Sequence, residues 1–310
     1  MLSTFLLTAI AGLSVASPTI VHRQSGAVYP DVADTRYATT EAVNTVQEYF
    51  TAKSLHDVQR WIGYFDTTEG VYVDATLGTF FSQPDLLATF EPVVAGWTAD
   101  AKSYPLRIVG DANSAVVTFV DTPAVFGAEM RLIAAFDFRD GKVLRQVDYW
   151  DSRLNPVSAY RVPDDQFPTD FAESRVASQP NESIQRAADE LHAALTGGNV
   201  TAVADLLTFD AVLQDFTTRT RIEGKAAIER YLNRALPTLP YGSGAAVRHV
   251  VGSAVGGAYE WRGRSGSGAD NGITALLLNP EGFITELTTI WDASQFDNST
   301  LQALAKCSIE

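Results

Sequence analysis

The sequence predicts an α+β protein built as two tandem copies of one unit, each with three helices followed by a curved antiparallel sheet. Three observations predict it. First, "VLRQVDYWDS" (143–152) and "FITELTTIWDAS" (283–294) are β-type runs that both close on Trp-Asp. Both follow an acidic-Gly turn, Asp140-Gly141 and Glu281-Gly282. Second, other landmarks keep nearly the same spacing. Asp74 meets Asp215, Trp150 meets Trp291 and Asp151 meets Asp292 at an offset of 141 residues, and Phe90 meets Tyr231. Third, helical periodicity comes first in each copy and strand-like segments come after it.

In the first copy Ala42, Val46, Tyr49, Phe50 and Lys53 follow a helical pattern. A second short helix from about Asp57 places Val58, Trp61, Ile62 and Phe65 on one face. A third begins near Ser82, a suitable N-cap with Pro84 and Asp85 in the first turn. Leu86, Phe90, Val93 and Trp97 form its stripe, with a bend at Pro92. "YPLRIVG", "SAVVTFVD", "EMRLIAAFDF" and "KVLRQVDYW" then read as four strands, with "RDGK" (139–142) as a tight hairpin turn. The second copy repeats the order, with helices at about 183–196, 200–208 and 224–235. Its strands are expected at 245–251, 256–262, 272–278 and 283–291. These spans place the domains at 40–155 and 182–296. Residues 156–181 between them are rich in Pro, Asp and Ser and read as a linker. Its aromatics Tyr160, Phe167 and Phe171 are candidates to pack against one domain.

The 310 residues suit two domains of ordinary size. A formal charge of −14 repels phosphate backbones and anionic lipid, which argues against nucleic-acid and membrane-surface partners. The apolar run Phe5–Val15, with Ser14 and Ala16 at the −3 and −1 positions of a cleavage site, has the shape of a secretory signal peptide spanning 1–16. The usual basic residue before the run is missing. The expectation is a secreted protein. Sequons at Asn181, Asn199 and Asn298 fit a glycoprotein, and equally fit three unmodified surface asparagines. A single cysteine, Cys307, excludes an intramolecular disulfide.

The order of elements, the acid after the second helix ("YVDATLGTFF", "LQDFTTRTRIEG"), the segment "IEGKAAIERYL" and the endings "DYWD" and "TIWD" together resemble the NTF2-like superfamily. Within it they are most similar to the SnoaL-like group. The resemblance covers about 40–155 and 182–296. It implies cone-shaped domains around a pocket for an apolar or polyketide-like small molecule. It also implies cofactor-independent cyclase, isomerase or dehydratase chemistry, carried by Asp, Tyr, His or Arg. The superfamily has non-catalytic members too, so the fold leaves function open.

Asp148 is the first candidate for chemistry. It shares a strand face with Leu144, Gln146 and Trp150, while Arg145, Val147 and Tyr149 share the other. Phase alone does not say which face lines the pocket; the Asp148–Trp150 face is taken here. A carboxylate beside an indole in a dry cavity has a raised pKa and can move a proton α to a carbonyl. A solvated acid at a strand end gives the same sequence. The second copy has Thr289 there, which makes one active domain and one degenerate partner the simplest reading. Asp74 is its candidate partner, or a fold-serving residue, since Asp215 matches it. Tyr64 is a candidate hydroxyl donor, Trp97, Tyr104 and Trp150 a stacking wall, and Arg131 a site for an enolate or carboxylate. Arg219, Arg221, His249, Glu260 and Arg262 are candidates for a polar pocket in the second copy.

The four histidines lack metal-ligand spacing, and nucleophile-elbow, phosphate-loop and dinucleotide patterns are missing. No metal or cofactor is expected. "GRSGSGADNG" (263–272) reads as a mobile hairpin loop over the second cone. The leading expectation is acid–base catalysis on an apolar, carbonyl-bearing secondary metabolite. The alternative is a non-catalytic small-molecule carrier or interaction protein. The two domains are expected to pair as an intramolecular pseudo-dimer.

Overall fold

The computed structural model describes residues 27–153, 155–264 and 268–309. The expected leader at 1–16 and the centre of the Gly/Ser-rich loop, 265–267, lie outside the described residues.

The first unit runs β1 (Asp34–Ala38), α1 (Thr40–Ser54), α2 (Val58–Ile62), β2 (Val71–Asp74), β3 (Thr79–Ser82), α3 (Asp85–Ala95), β4 (Ser103–Gly110), β5 (Ser114–Asp121), a short α4 (Pro123–Phe126), β6 (Met130–Arg139) and β7 (Lys142–Tyr149). Local chemistry explains several boundaries. The Thr39 side chain accepts from Ala42 N to start α1, and Glu41 stands in the first turn. Asp57 caps α2 by accepting from Arg60 N. Asp140 and Gly141 are both left-handed, with φ of 52° and 72°, as the tight hairpin between β6 and β7 requires.

The second unit runs α5 (Glu182–Thr196), α6 (Val200–Asp205), β8 (Leu207–Asp215), β9 (Thr220–Glu223), α7 (Lys225–Ala235), β10 (Ala246–Ser253), β11 (Gly256–Arg262), β12 (Asn271–Leu278), β13 (Ile284–Trp291) and α8 (Asn298–Cys307). The sheet orders are β1-β4-β5-β6-β7-β2-β3 and β10-β11-β12-β13-β8-β9. In each, the expected four-strand antiparallel meander continues into a short hairpin. That hairpin joins the last meander strand in parallel, β2 on β7 and β8 on β13.

These hairpins correct the expected helix limits. Ser82 ends β3 and does not cap α3, because Thr79–Ser82 pairs residue by residue with Val71–Asp74. The helix expected at 200–208 stops at Asp205, because Leu207 enters β8 opposite Ile284. Strand β1 and helix α8 lie outside the repeated pattern. Between the units Phe171 is fully buried in the first core and Phe167 packs against it, while Tyr160 is exposed.

The strand alternation of β7 separates two interiors. Gln146 and Asp148 face α1, and Arg145 and Tyr149 face the second sheet. Val251, Ala258, Ile273, Leu277 and Ile290 of the second sheet join the first unit's core. A buried charge cluster sits in this apolar layer. Arg145 Nη2 lies 2.7 Å from Glu260 Oε2, off the hydrogen-bonding axis, and Nη1 donates to Asp137 Oδ2 at 3.2 Å. Tyr149 Oη donates to Glu260 Oε1, and His249 Nε2 lies 2.9 Å from Asp137 Oδ1.

The repeated Trp-Asp endings meet each other. Asp292 Oδ1 accepts from Ser152 N at 2.9 Å, and Asp151 Oδ1 accepts from Ala293 N at 3.3 Å. Each copy's aspartate therefore holds the other copy's chain just past its tryptophan, a reciprocal contact of the kind a two-fold axis generates.

Candidate active site

Each unit carries one anchoring device that explains much of the repeat. In the first, Trp150 Nε1 donates to Asp74 Oδ2 at 2.9 Å, while Asp74 Oδ1 accepts from Thr76 N and Leu77 N. Thr76 Oγ1 donates to Trp150 O and accepts from Trp150 N. In the second, Trp291 Nε1 donates to Asp215 Oδ2 at 3.1 Å, and Thr217 Oγ1 makes the same two contacts with the Trp291 backbone. The device ties the hairpin turn to the end of the last strand across 76 residues. Burial pushes Asp74 up to about 7 and Asp215 up to about 6, against the pull of these donors. Trp291→Phe removes one donor and leaves Asp215 under-satisfied. It is expected to cost about 1–3 kcal/mol of stability, read by urea unfolding.

Asp148 has different surroundings and has no acidic counterpart in the second unit. It is 2% exposed. Gln146 Nε2 donates to its Oδ1 at 2.8 Å, and Tyr72 Oη donates to its Oδ2 at 3.0 Å. Tyr49 Oη donates onward to Gln146 Oε1 at 2.6 Å. Burial raises the Asp148 carboxyl to about 6, with Lys53 as the main opposing influence. Lys53 is itself buried, paired to Asp121 at 3.3 Å. Burial, and then the neighbouring Asp148 charge, hold Tyr72 and Tyr49 well above the usual phenol value, so both remain hydrogen-bond donors.

Aromatic rings surround this polar chain. Tyr72 packs edge-on against Phe90 at 5.1 Å, Phe90 lies 4.9 Å from Trp61, and Trp61 packs edge-on against Tyr49 at 6.0 Å. Trp97 belongs to the same wall, edge-on to His56 and 6.4 Å from Trp61.

The structure therefore brings together Asp148, Trp150, Trp97 and Asp74, and separates the other candidates. Asp74 pairs with Asp148 in strand register, but its oxygens serve the tryptophan anchor. Tyr64 turns outward and donates to Glu48. Tyr104 stacks on Tyr29, whose hydroxyl reaches the backbone of α1. Arg131 lies on the opposite face of the sheet, over the Phe216 ring. In the second unit Arg219, Arg221, His249, Glu260 and Arg262 do not converge. His249 and Glu260 enter the layer between the sheets, Arg221 pairs with Glu223, and Arg262 reaches Thr169 O. Thr289 Oγ1, at the position of Asp148, donates to Ile273 O.

Tyr72, Lys53 and Asp121 were missed as site residues. Tyr72 had a usable signal, since it stands two residues before Asp74 on one strand face. Lys53 had another, a lone charge in the apolar stripe of α1. Among the described residues, no group of three or more His, Cys, Asp or Glu side chains is placed to hold a metal ion. No described helix is long and apolar enough to cross a membrane.

Helices laid on one face of a meander sheet, twice in tandem, give both units the α+β architecture that the resemblance implied. No family model and no curated protein matches the sequence. Among solved structures the chain is similar to a steroid delta-isomerase from Pseudomonas aeruginosa, at 17% identity and TM-score 0.33, over 43% of this chain and 93% of that one. It is similar to a SnoaL-like protein of unknown function from Burkholderia thailandensis, at 14% identity and TM-score 0.32, over 36% and 98%. It is also similar to the epoxide hydrolase/cyclase-like enzyme SalBIII, at 16% identity and TM-score 0.31, over 37% and 94%.

Proposed function

We propose that the first unit is a cofactor-independent acid–base catalyst for isomerisation, cyclisation or dehydration of an apolar, carbonyl-bearing metabolite, of the polyketide-like secondary type. The observation that carries this reading is Asp148, a fully buried carboxyl raised to about 6 and held by the Tyr72 hydroxyl and the Gln146 amide within an aromatic wall. At pH 7 such a group is ionised yet still basic enough to take a proton α to a carbonyl. Once Asp148 has taken the substrate proton it no longer holds the Tyr72 hydrogen bond as a carboxylate, and the single Tyr72 O–H is free to turn to the oxyanion that forms. Gln146, fixed by Tyr49, sets the carboxylate's orientation. The second unit, with Thr289 in place of the acid, acts as the pairing partner in an intramolecular pseudo-dimer. The reciprocal Asp151 and Asp292 contacts support that arrangement.

Export and glycosylation belong to the same proposal. The exposed positions of Asn181, Asn199 and Asn298 support them. The competing reading, a non-catalytic carrier, draws on the ring packing of Tyr72, Phe90 and Trp61 beside the acid.

Proton–deuterium exchange of 2-tetralone separates the two. The catalyst accelerates α-proton exchange at pH 7 and loses that acceleration in Asp148→Asn. A carrier binds the ketone without exchange, and full exchange in the variant removes Asp148 from the chemistry.

A further inference from the structure

We propose a second ligand site, outside the first cone, for a small aromatic monocarboxylate in the groove between the two units. The groove is a cavity of about 490 Å³. That is within the range of roughly 300–1,000 Å³ typical of small-molecule sites. Met130, Trp150 and Ile290 give it an apolar floor, and Phe216 supplies a ring wall. Arg131 lies over that ring at 5.3 Å from its centroid.

The hairpin turn of the second unit shows how the site arose from the repeat. Asp215 to Thr220 matches Asp74 to Thr79, residue for residue. Phe216 stands where the first unit has Ala75, and Arg219 where it has Gly78. Both turn positions are left-handed, Gly78 at φ 73° and Arg219 at φ 57°. Glycine accepts that conformation without cost, whereas a residue with a Cβ does not. In the first unit a side chain is also excluded by space, since a Cβ on Gly78 would stand 2.4 Å from the Phe167 ring. The second turn is left open to the groove, and it carries an arginine in an unfavourable backbone conformation. Such a conformation is commoner at ligand sites than elsewhere.

The charges around the groove select the ligand. Asp151 is paired with Arg153, Arg221 with Glu223, and Asp215 is committed to Trp291. Among the described residues Arg131 and Arg219 have no carboxylate within ion-pair distance, and neither has Glu129 an ion-pair partner. Arg131 and Arg219 offset the charges of Glu129 and of Asp215, whose bond to the neutral indole leaves its carboxylate ionised at pH 7, so two guanidinium groups face the groove with no excess of positive charge around them. That fits one carboxylate better than a dianion, and guanidinium groups recognise carboxylates in a planar fork. The groove shares Trp150 with the first unit's site but not Asp148, whose carboxylate is held by Tyr72 and Gln146 and does not line the groove.

Isothermal titration of the full chain with benzoate tests it, with benzamide as the uncharged isostere and acetate as the ring-free anion. Benzoate is expected to bind at least about tenfold tighter than either. Arg219→Gly and Phe216→Ala install the first unit's own residues. Arg219→Gly and Arg131→Gln should each weaken benzoate about tenfold. The thermal midpoint of Arg219→Gly should be unchanged or higher, because the left-handed turn is relieved. Asp148→Asn should bind benzoate as the parent does. Equal binding of benzoate, benzamide and acetate would overturn the proposal, and so would benzoate binding that survives both arginine substitutions or is lost in Asp148→Asn.

Discussion

Arg145→Met is expected to destabilise the folded chain by about 3–5 kcal/mol, the cost of removing one partner from a buried ion cluster. Arg145 is fully buried between the acids of two different units, Glu260 and Asp137, and its Nε donates to Phe171 O from the connecting segment at 2.6 Å. One side chain thus ties together the first sheet, the second sheet and the linker. Methionine fills the volume but leaves Glu260, itself 0% exposed, with only the Tyr149 hydroxyl. Replacing both charges should cost less than the sum of the single changes, because the loss in each single variant is mainly an unpaired buried charge. Urea unfolding of Arg145→Met, Glu260→Gln and the double variant measures this. Additive losses below about 1 kcal/mol each would mean that the cluster does not hold the sheets together.

Asp148→Asn is the second large effect. Loss of a positioned general base lowers rate by about 10²–10⁴-fold, and the exchange assay should fall within that range. The same substitution has a signature in stability that does not depend on any substrate. The Asp148 carboxyl loses its proton near 6 in the folded chain, against an ordinary value of 3.8. The retained proton therefore contributes stability in full below about 3.8, and that contribution is lost as pH rises through about 6. Over this window the parent should lose stability relative to Asp148→Asn by roughly 3 kcal/mol, the equivalent of about two pKa units. Asp215 is raised as well and slopes the same way in both proteins, whereas Asp74 is raised in part by the Asp148 charge and slopes less in Asp148→Asn, so the difference reports Asp148 together with its coupling to Asp74.

Much of this architecture was legible because it is written twice. The 141-residue offset located both tryptophan anchors, and the alternation of β7 separated Asp148 from Arg145. The β2–β3 hairpin was not legible. Four-residue strands are too short to show a period, and Ser82-x-Pro84-Asp85 carries a plausible helix start of its own. The site was half legible. An acid kept in one copy only pointed to Asp148, but its hydroxyl partner was misassigned to Tyr64. What brings Tyr72 to the acid is the parallel pairing of β2 with β7, a contact between residues 76 apart that no local pattern encodes. Arg131 was placed in the wrong cavity for a related reason. Its strand parity was readable, but which sheet face the helices cover was not.

A ¹³C titration of the side-chain carboxyls in the full chain, with Asp148 assigned by its disappearance in Asp148→Asn, tests the central claim most directly. A midpoint near 6 is the predicted result. A midpoint near the ordinary 3.8 would show an acid in contact with water and would contradict a dry, proton-handling carboxyl in the first unit.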